Sequence, residues 1–434
     1  MDKIHQKQLQ FSLDMYMHKH PNPDFGVYLH IPFCEKKCVY CDFYSLEKME
    51  HMDIFISQII KEISYTSQQS HQYFRPATSI FFGGGTPSLL SPKQMQKIIK
   101  ELHTSIPIHP HAEWTMECNP GTITLDSLKG YKDLGINRLS FGIQSFHQKE
   151  LDFLHRIHSP QESIEAISLA RQAGFDNINI DLIFALPDQQ MNSWKKTLEM
   201  AIELQTEHIS AYSLIFEEKT PLYTMLQKGL VKPSEEEKDA DMYAYTIQTL
   251  NSAGYSQYEV SNFAKDGYSC VHNRTYWQAK EYIAFGPSAH GFLRNKRYWN
   301  YRNLIRYFEA VEKYGKGEAN VEELSAYNRL FETVFLSFRA EGLNIHYINT
   351  EFDIDILSIL EKESALWKQE QLIDIHNSTV TLTAKGYALC DELSVRIIAT
   401  LESFLGQEWD NQGYQEDETQ EEETHSFTLP ILDL

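Results

Sequence analysis

From residue 26 to about 214 the chain alternates short β-branched or aromatic runs with stretches whose apolar residues recur every three to four positions. The runs Gly26–Ile31, Thr78–Phe82, Glu113–Glu117, Asn137–Phe141, Asn177–Phe184 and His208–Leu214 read as strands. Between them, Met52–Tyr65, Pro92–His103, Leu125–Leu134, Gln161–Ala173 and Ser193–Leu204 read as amphipathic helices. Strands separated by helices imply crossover connections and a parallel sheet. Six such units predict an α/β barrel, open or closed, although periodicity alone fits a doubly wound sheet equally well.

The remainder is less regular. Residues from roughly 215 to 320 are rich in Tyr, Trp and Asn and follow no clear period. From about 325 to 400 a helical run, Asn328–Ala340, leads to two more helices and then to the alternating Ser378–Thr383. That order resembles a small winged-helix module. No long internal repeat is visible.

Length and composition set further bounds. At 434 residues, with 42% hydrophobic content and 24 each of Tyr and Phe, the chain can bury an ordinary core spread over two or three domains. No apolar run approaches the roughly 18 residues of a membrane span. Met1 to Asp24 has neither the continuous apolar segment of a signal peptide nor the Arg-rich, acid-poor character of a transit peptide, so a cytoplasmic location is expected. Net charge is −21. Eight acids and no Lys or Arg fall between Gln407 and His425, a composition expected to stay disordered. The rest still carries about −13, which argues against nucleic acid as the main partner.

Six cysteines, three of them within eight residues, are too few and too clustered for a secreted disulfide scaffold. The first strand runs into Pro32-Phe33-Cys34-Glu35-Lys36-Lys37-Cys38-Val39-Tyr40-Cys41-Asp42-Phe43, spaced C-x3-C-x2-C. Thiolates this close can ligate three of the four irons of a cuboidal cluster, leaving the fourth iron for an external chelating group. A structural zinc site is the alternative, but it needs four ligands and usually paired C-x2-C knuckles, and one such pair occurs here. Cys118, Cys390 and His158 are assigned to packing or surface.

This motif resembles that of the radical S-adenosylmethionine superfamily. The resemblance implies a [4Fe–4S] cluster on Cys34, Cys38 and Cys41, whose open iron binds the methionine amino and carboxylate groups. Reductive cleavage of the sulfonium would then give a 5′-deoxyadenosyl radical. The strand ends agree with a ligand pocket at the carboxyl side of a barrel. The second strand ends in Gly83-Gly84-Gly85-Thr86-Pro87, glycines that admit a close backbone approach, and no Lys-Ser/Thr follows to make a phosphate loop. The third ends in Glu117-Cys118-Asn119-Pro120-Gly121, and the fourth runs from Arg138 to Phe146 through Gln144. The fifth carries Asp181 inside the apolar Ile178–Phe184, which suggests a ligand contact or an ion pair.

From Tyr28 to about His290 the chain is similar to the oxygen-independent coproporphyrinogen III dehydrogenase group, which has HemN-type dehydrogenases and HemW-type haem chaperones as branches. The likeness implies a partial (β/α)6 radical-SAM barrel followed by a C-terminal HemN-type, winged-helix-like α+β module. On it we divide the chain into an N-terminal extension (1–25), the barrel (26–250), a connecting segment (251–324), the module (325–404) and an acidic tail (405–434). It implies that Tyr28, Gly84 and Glu117 contact the cluster-bound S-adenosylmethionine. Gly85, Thr86, Gln144, Arg156 and Asp181 match positions that contact a second such molecule, with Tyr40 lying against it. Without the resemblance, Arg156 would read as a solvated helix charge.

Position 43 separates the branches. The dehydrogenases carry a fourth cysteine two residues after the third, and here Asp42-Phe43 follows Cys41, as in the chaperones. In addition, Cys270-Val271-His272-Asn273-Arg274-Thr275-Tyr276-Trp277 fits the H-N-x-x-Y-W pattern by which chaperones of this kind hold haem. Imidazole nitrogen suits the iron, and flanking aromatic faces suit the macrocycle. On its own, a lone His in such a segment is more often a structural hydrogen-bonding residue. His272, outside the barrel pocket, is thus the expected haem ligand, with Tyr276 and Trp277 against the ring and His290 of Gly286-Pro287-Ser288-Ala289-His290-Gly291 a weaker second candidate. The implied partners are haem or a porphyrin, a haem-acceptor protein and an electron donor for the cluster. The alternative function is radical decarboxylation of coproporphyrinogen III.

Overall fold

The computed structural model describes residues 24–70 and 74–405, so the expected N-terminal extension and acidic tail lie almost entirely outside the described residues. Its centre is a run of six parallel strands: β1 (Gly26–Ile31), β2 (Ala77–Gly84), β3 (Ile108–Cys118), β4 (Arg138–Gln144), β5 (Ile178–Phe184) and β6 (His208–Ser213). The helices that return the chain are α1 (Met52–Ser70), α2 (Pro92–Ser105), α3 (Leu125–Asp133), α4 (Pro160–Gln172) and α5 (Met191–Glu203). Neighbours along this part of the sheet follow chain order, the arrangement of a barrel wall and not of a doubly wound sheet.

Residue types explain both faces. Val27, Leu29 and Ile31 are fully buried on one side of β1, and helix α1 buries Phe55, Ile59 and Ile63 within the same core. Each such side chain contributes about 1.5–3 kcal/mol by leaving water. Helix starts are written locally: Ser91 with Gln94, Thr124 with Ser127 and Ser159 with Glu162 form reciprocal caps, two of them followed by Pro at the first helical position.

The other face of the strands is polar. Ser79, Glu113, Thr115, Arg138, Ser140, Asn179, His208 and Ser210 alternate with the apolar residues of β2 to β6 and are all buried. A strand places every second side chain on the same face, so these residues line the concave interior.

The segment from 251 to 324, expected as an irregular connection, instead extends this sheet at both edges. Strand β8 (Asn262–Ala264) adds antiparallel to β6, and β7 (Ser256–Gln257) adds antiparallel to β8 at the edge. After helix α6 (Val271–Trp277), strand β9 (Tyr282–Phe285) pairs parallel to β1, and β10 (His290–Leu293), β11 (Lys296–Asn300) and β12 (Glu318–Glu323) continue outward as an antiparallel meander. Pieces of two to six residues are too short to declare a period, which is why they read as irregular.

Glu62 of α1 joins the two parts. Its buried carboxylate accepts hydrogen bonds from the backbone of Gly286 (2.9 Å) and Gly317 (2.9 Å), Asn300 Nδ2 (2.8 Å) and the Tyr307 hydroxyl (2.7 Å). The C-terminal module begins with α7 (Ala326–Phe338) and ends with α8 (Cys390–Leu405), enclosing a three-stranded sheet in which Thr379–Leu382 pairs with both Leu343–Asn344 and Ile373–His376. Among the described residues no helix is long and apolar enough to cross a membrane.

Candidate functional site

The loop after β1 carries the three cysteines and is held by backbone bonds at its neck. Cys34 N–H donates to Leu46 O (3.0 Å) and Leu46 N–H to Pro32 O (2.7 Å), while Leu222 N–H reaches Val39 O (2.9 Å) at the tip. The Gly83–Thr86 segment lies directly beneath. Gly85 N–H donates to Ile31 O (2.8 Å) and Thr86 N–H to Phe33 O (2.7 Å). A Cβ on Gly85 would come within 2.7 Å of both the Phe33 and Ile31 carbonyl oxygens, and one on Gly84 would meet the His30 ring at 2.5 Å. The glycines are therefore required first by close packing against the end of β1 and the residue that leads into the cysteine loop.

Cys34, Cys38 and Cys41 are half-buried free thiols. Burial, and then the neighbouring Cys38 and Cys34, pushes the Cys41 thiol up to about 12, and burial also raises Cys34. Thiols that oppose one another's ionisation become thiolates together only around a cationic centre. Among the described residues no group of three or more His, Cys, Asp or Glu converges to hold one metal ion. Three free thiols on one loop, spaced C-x3-C-x2-C, are nonetheless a donor set of the kind that ligates separate irons of a cubane cluster.

Around this loop stand the carboxyl ends of four adjacent strands. Glu117 of β3 accepts Gly84 N–H at 3.0 Å. Burial, reinforced by the charge of Asp181, lifts its carboxyl to about 8. Asp181 of β5 accepts from Ser140 Oγ (3.1 Å) and Asn179 Nδ2 (2.7 Å), and burial raises it too. Gln144 sits buried at the end of β4 with φ 70°. Tyr28 projects onto the concave face, its hydroxyl 3.1 Å from His30 Nδ1. Arg156 is no solvated charge: its guanidinium donates to Cys38 Sγ (3.3 Å) and Gly142 O (2.5 Å). Tyr40 packs against Leu154, Ile183 and Leu186 beside it. Tyr28, Tyr40, Gly84, Gly85, Thr86, Glu117, Gln144, Arg156 and Asp181 thus cluster at one end of the strands with the cysteines. Cys118 is 4% and Cys390 6% exposed, and His158, 1% exposed, lies 3.1 Å from Ile143 O through Nε2. Phe43 is 39% exposed.

His272 is not outside the barrel. It is 1% exposed, on the concave face, with Nδ1 2.9 Å from Ser79 Oγ and Nε2 2.8 Å from the Tyr276 hydroxyl. Its ring stacks on Phe81 (5.1 Å between centroids) and Tyr28 (6.2 Å), with Tyr276 edge-on at 4.9 Å. Burial, with the positive charge of Arg138 adding, pulls its pKa down to about 3. Trp277 turns away and packs against Leu336 and Ala340 of the C-terminal module. The cause is Glu113, whose buried carboxylate accepts the Val271 amide (3.2 Å), the His272 amide (3.3 Å) and the Cys270 thiol (3.4 Å), drawing the start of α6 into the interior. His290 stands half-buried on β10, its ring stacked on Trp299 at 6.1 Å. Sequence reasoning missed Ser79, Glu113 and Arg138. Their signal was the period-two polar stripe in otherwise apolar strands.

A model of the radical SAM superfamily matches residues 28–201. The haem chaperone HemW of Bacillus subtilis is 32% identical over 375 residues, 85% of this chain and 97% of that protein. HemW of Lactococcus lactis is 33% identical over 366 residues, covering 84% and 94%. Among solved structures, the coproporphyrinogen III oxidase HemN from Escherichia coli, a radical SAM enzyme, superposes with a TM-score of 0.75 over 87% of this chain and 91% of that one. At 24% identity, that likeness speaks for the fold.

Proposed function

The chain belongs to the HemW family of radical SAM proteins, and on that premise we propose that it binds haem and passes it to an acceptor protein. Membership of the superfamily implies a [4Fe–4S] cluster and S-adenosylmethionine. On our reading Cys34, Cys38 and Cys41 hold the cluster. Tyr28, Gly84 and Glu117 bind the S-adenosylmethionine, and Glu117, neutral when alone, ionises against its cationic groups. When bound, the cluster supplies an electron and an open iron for the methionine group. Gly85, Thr86, Gln144, Asp181, Tyr40 and Arg156 line the adjoining space.

The observation that carries the haem reading is the state of His272. An imidazole held neutral down to about pH 3 keeps the lone pair that iron needs, and Tyr28, Phe81 and Tyr276 offer aromatic surfaces around it. Ser79 Oγ lies 2.9 Å from Nδ1, and in the tautomer where it accepts Nδ1–H, Nε2 keeps the lone pair that a metal ligand needs. Tyr276 then covers Nε2 and must yield when haem enters. We assign the work to the cytoplasm, with a one-electron donor serving the cluster.

The test is a stoichiometric haem titration followed by transfer to an apo-haemoprotein, run beside anaerobic turnover of coproporphyrinogen III with the product identified by mass. Phe43 stands where the dehydrogenases carry their extra cysteine, so little or no protoporphyrinogen is expected. Sustained multiple turnover without tight haem binding would overturn the carrier reading.

A further inference from the structure

We propose that Arg156 is a positioning residue for the cluster itself, acting through the sulfur of Cys38 to raise its reduction potential, with Thr86 acting more weakly through Cys34. This rests on the cluster reading above and goes beyond it.

The chain takes trouble to bring this cation inward. After the short helix Gln148–Phe153, His155 adopts φ 57° and the Arg156 amide returns to Leu151 O at 2.9 Å, a turn that aims the side chain at the cysteine loop. One terminal nitrogen lies 3.3 Å from Cys38 Sγ and the other 2.5 Å from Gly142 O, while buried Nε has no acceptor. A Cβ on Gly142 would stand 3.2 Å from that second nitrogen, so the glycine leaves room for the guanidinium. The other sulfurs have neutral donors: the Thr86 hydroxyl lies 3.5 Å from Cys34 Sγ, and the Phe43 amide faces Cys41. Arg156 is the charged hydrogen-bond donor of the set, while Lys37, whose ammonium donates to Phe43 O at 3.2 Å, acts on Cys41 through space.

Adding one electron to the cluster adds one negative charge to its sulfurs. Hydrogen bonds and positive charge at those sulfurs favour the reduced form, and burial keeps water from screening them. The electron comes from an external one-electron donor, and Arg156 neither gains nor loses a proton.

The experiment is a redox titration of the reconstituted full chain without S-adenosylmethionine, followed by the electron paramagnetic resonance signal of the reduced cluster, with iron counted in each sample. In R156M the ratio of reduced to oxidised cluster at a fixed potential should fall about tenfold, equivalent to a shift of about 59 mV to more negative potential for one electron. R156K should recover part of the shift, and T86V should move the same way by less. Full clusters with unshifted potentials in R156M overturn the inference. It is equally overturned if R156M cannot hold four irons while R156K holds them at the wild-type potential, for then Arg156 is a structural clamp. A wild-type chain that assembles no cluster would refute the cluster reading instead.

Discussion

Replacing Tyr276 with Phe should tighten haem binding, a direction opposite to that expected for a residue assumed to embrace the porphyrin. Its hydroxyl occupies Nε2 of His272 at 2.8 Å, and that bond must break before iron can coordinate there. A neutral intramolecular hydrogen bond is worth about 0.5–1.5 kcal/mol net, so removing the competitor should lower the Kd by roughly 2- to 12-fold. The ring itself stays, so its stacking surface is kept. Ser79→Ala should act the other way: it removes the hydroxyl that orients the ring through Nδ1, and loss of an outer-shell partner typically costs about 10- to 100-fold in metal affinity. His272→Ala should abolish the Soret shift. The same substitution should also weaken S-adenosylmethionine binding, because Tyr28 stacks on this imidazole. The assay is haem titration of wild type, Tyr276→Phe, Ser79→Ala, His272→Ala and His290→Ala, each with iron content measured. If His272→Ala binds like wild type and His290→Ala does not, the ligand is His290 and the reasoning from the buried imidazole is refuted. If Tyr276→Phe weakens binding, the hydroxyl contacts haem and does not compete with it.

The other substitutions probe the frame. Single Cys34→Ala, Cys38→Ala or Cys41→Ala variants should lose the cluster, whereas Cys118→Ala, Cys270→Ala and Cys390→Ala should retain about four irons and four sulfides per chain; loss in the Cys118 variant would contradict its buried, non-ligating place. Glu62→Ala strands four donors at once and should cost about 3 kcal/mol or more of stability in urea unfolding, with the strands after Gly286 loosening first by hydrogen exchange. For pH, His272 has its folded pKa depressed to about 3 against 6.5 when unfolded, so its contribution is complete above pH 6.5 and is lost as pH falls toward 3. The full difference is on the order of 5 kcal/mol. His272→Gln should flatten the acid limb of stability measured between pH 7.5 and 5, and an unchanged slope would exclude a buried neutral imidazole.

Much of the barrel wall was legible because each of its elements is long enough to declare a period. Strand β1 begins and ends where its pattern says, and helices α1 to α5 fall within five residues of expectation, with the starts of α2, α3 and α4 fixed by their caps. The cysteine loop was legible for a different reason: ligand spacing is a local property, and no tertiary information is needed to see it. What sequence could not supply were contacts made across large separations. The Arg156–Cys38 pair spans 118 residues and the Ser79–His272 pair 193. Neither partner carries a local signature, because an arginine after a short helix and a serine in a strand are ordinary residues until the fold brings something to them.

His272 is the instructive case, because its motif was visible and its environment was not. The residues that draw it inward were written in the strands as a polar position at every second place: Ser79 in β2, Glu113 and Thr115 in β3, Arg138 and Ser140 in β4, Asn179 and Asp181 in β5. A barrel whose interior was only packing would fill those positions with Val, Ile or Leu. Polar groups are retained there at a desolvation cost, so they must be matched, and helix α6 supplies part of the match through its amides on Glu113 and its imidazole on Ser79. Tyr28 completes the connection, since it is the expected S-adenosylmethionine contact and also stacks on His272 at 6.2 Å. The candidate haem ligand and the candidate S-adenosylmethionine pocket therefore share one aromatic wall. Occupancy of either should alter the other's affinity, and by linkage the two factors must be equal.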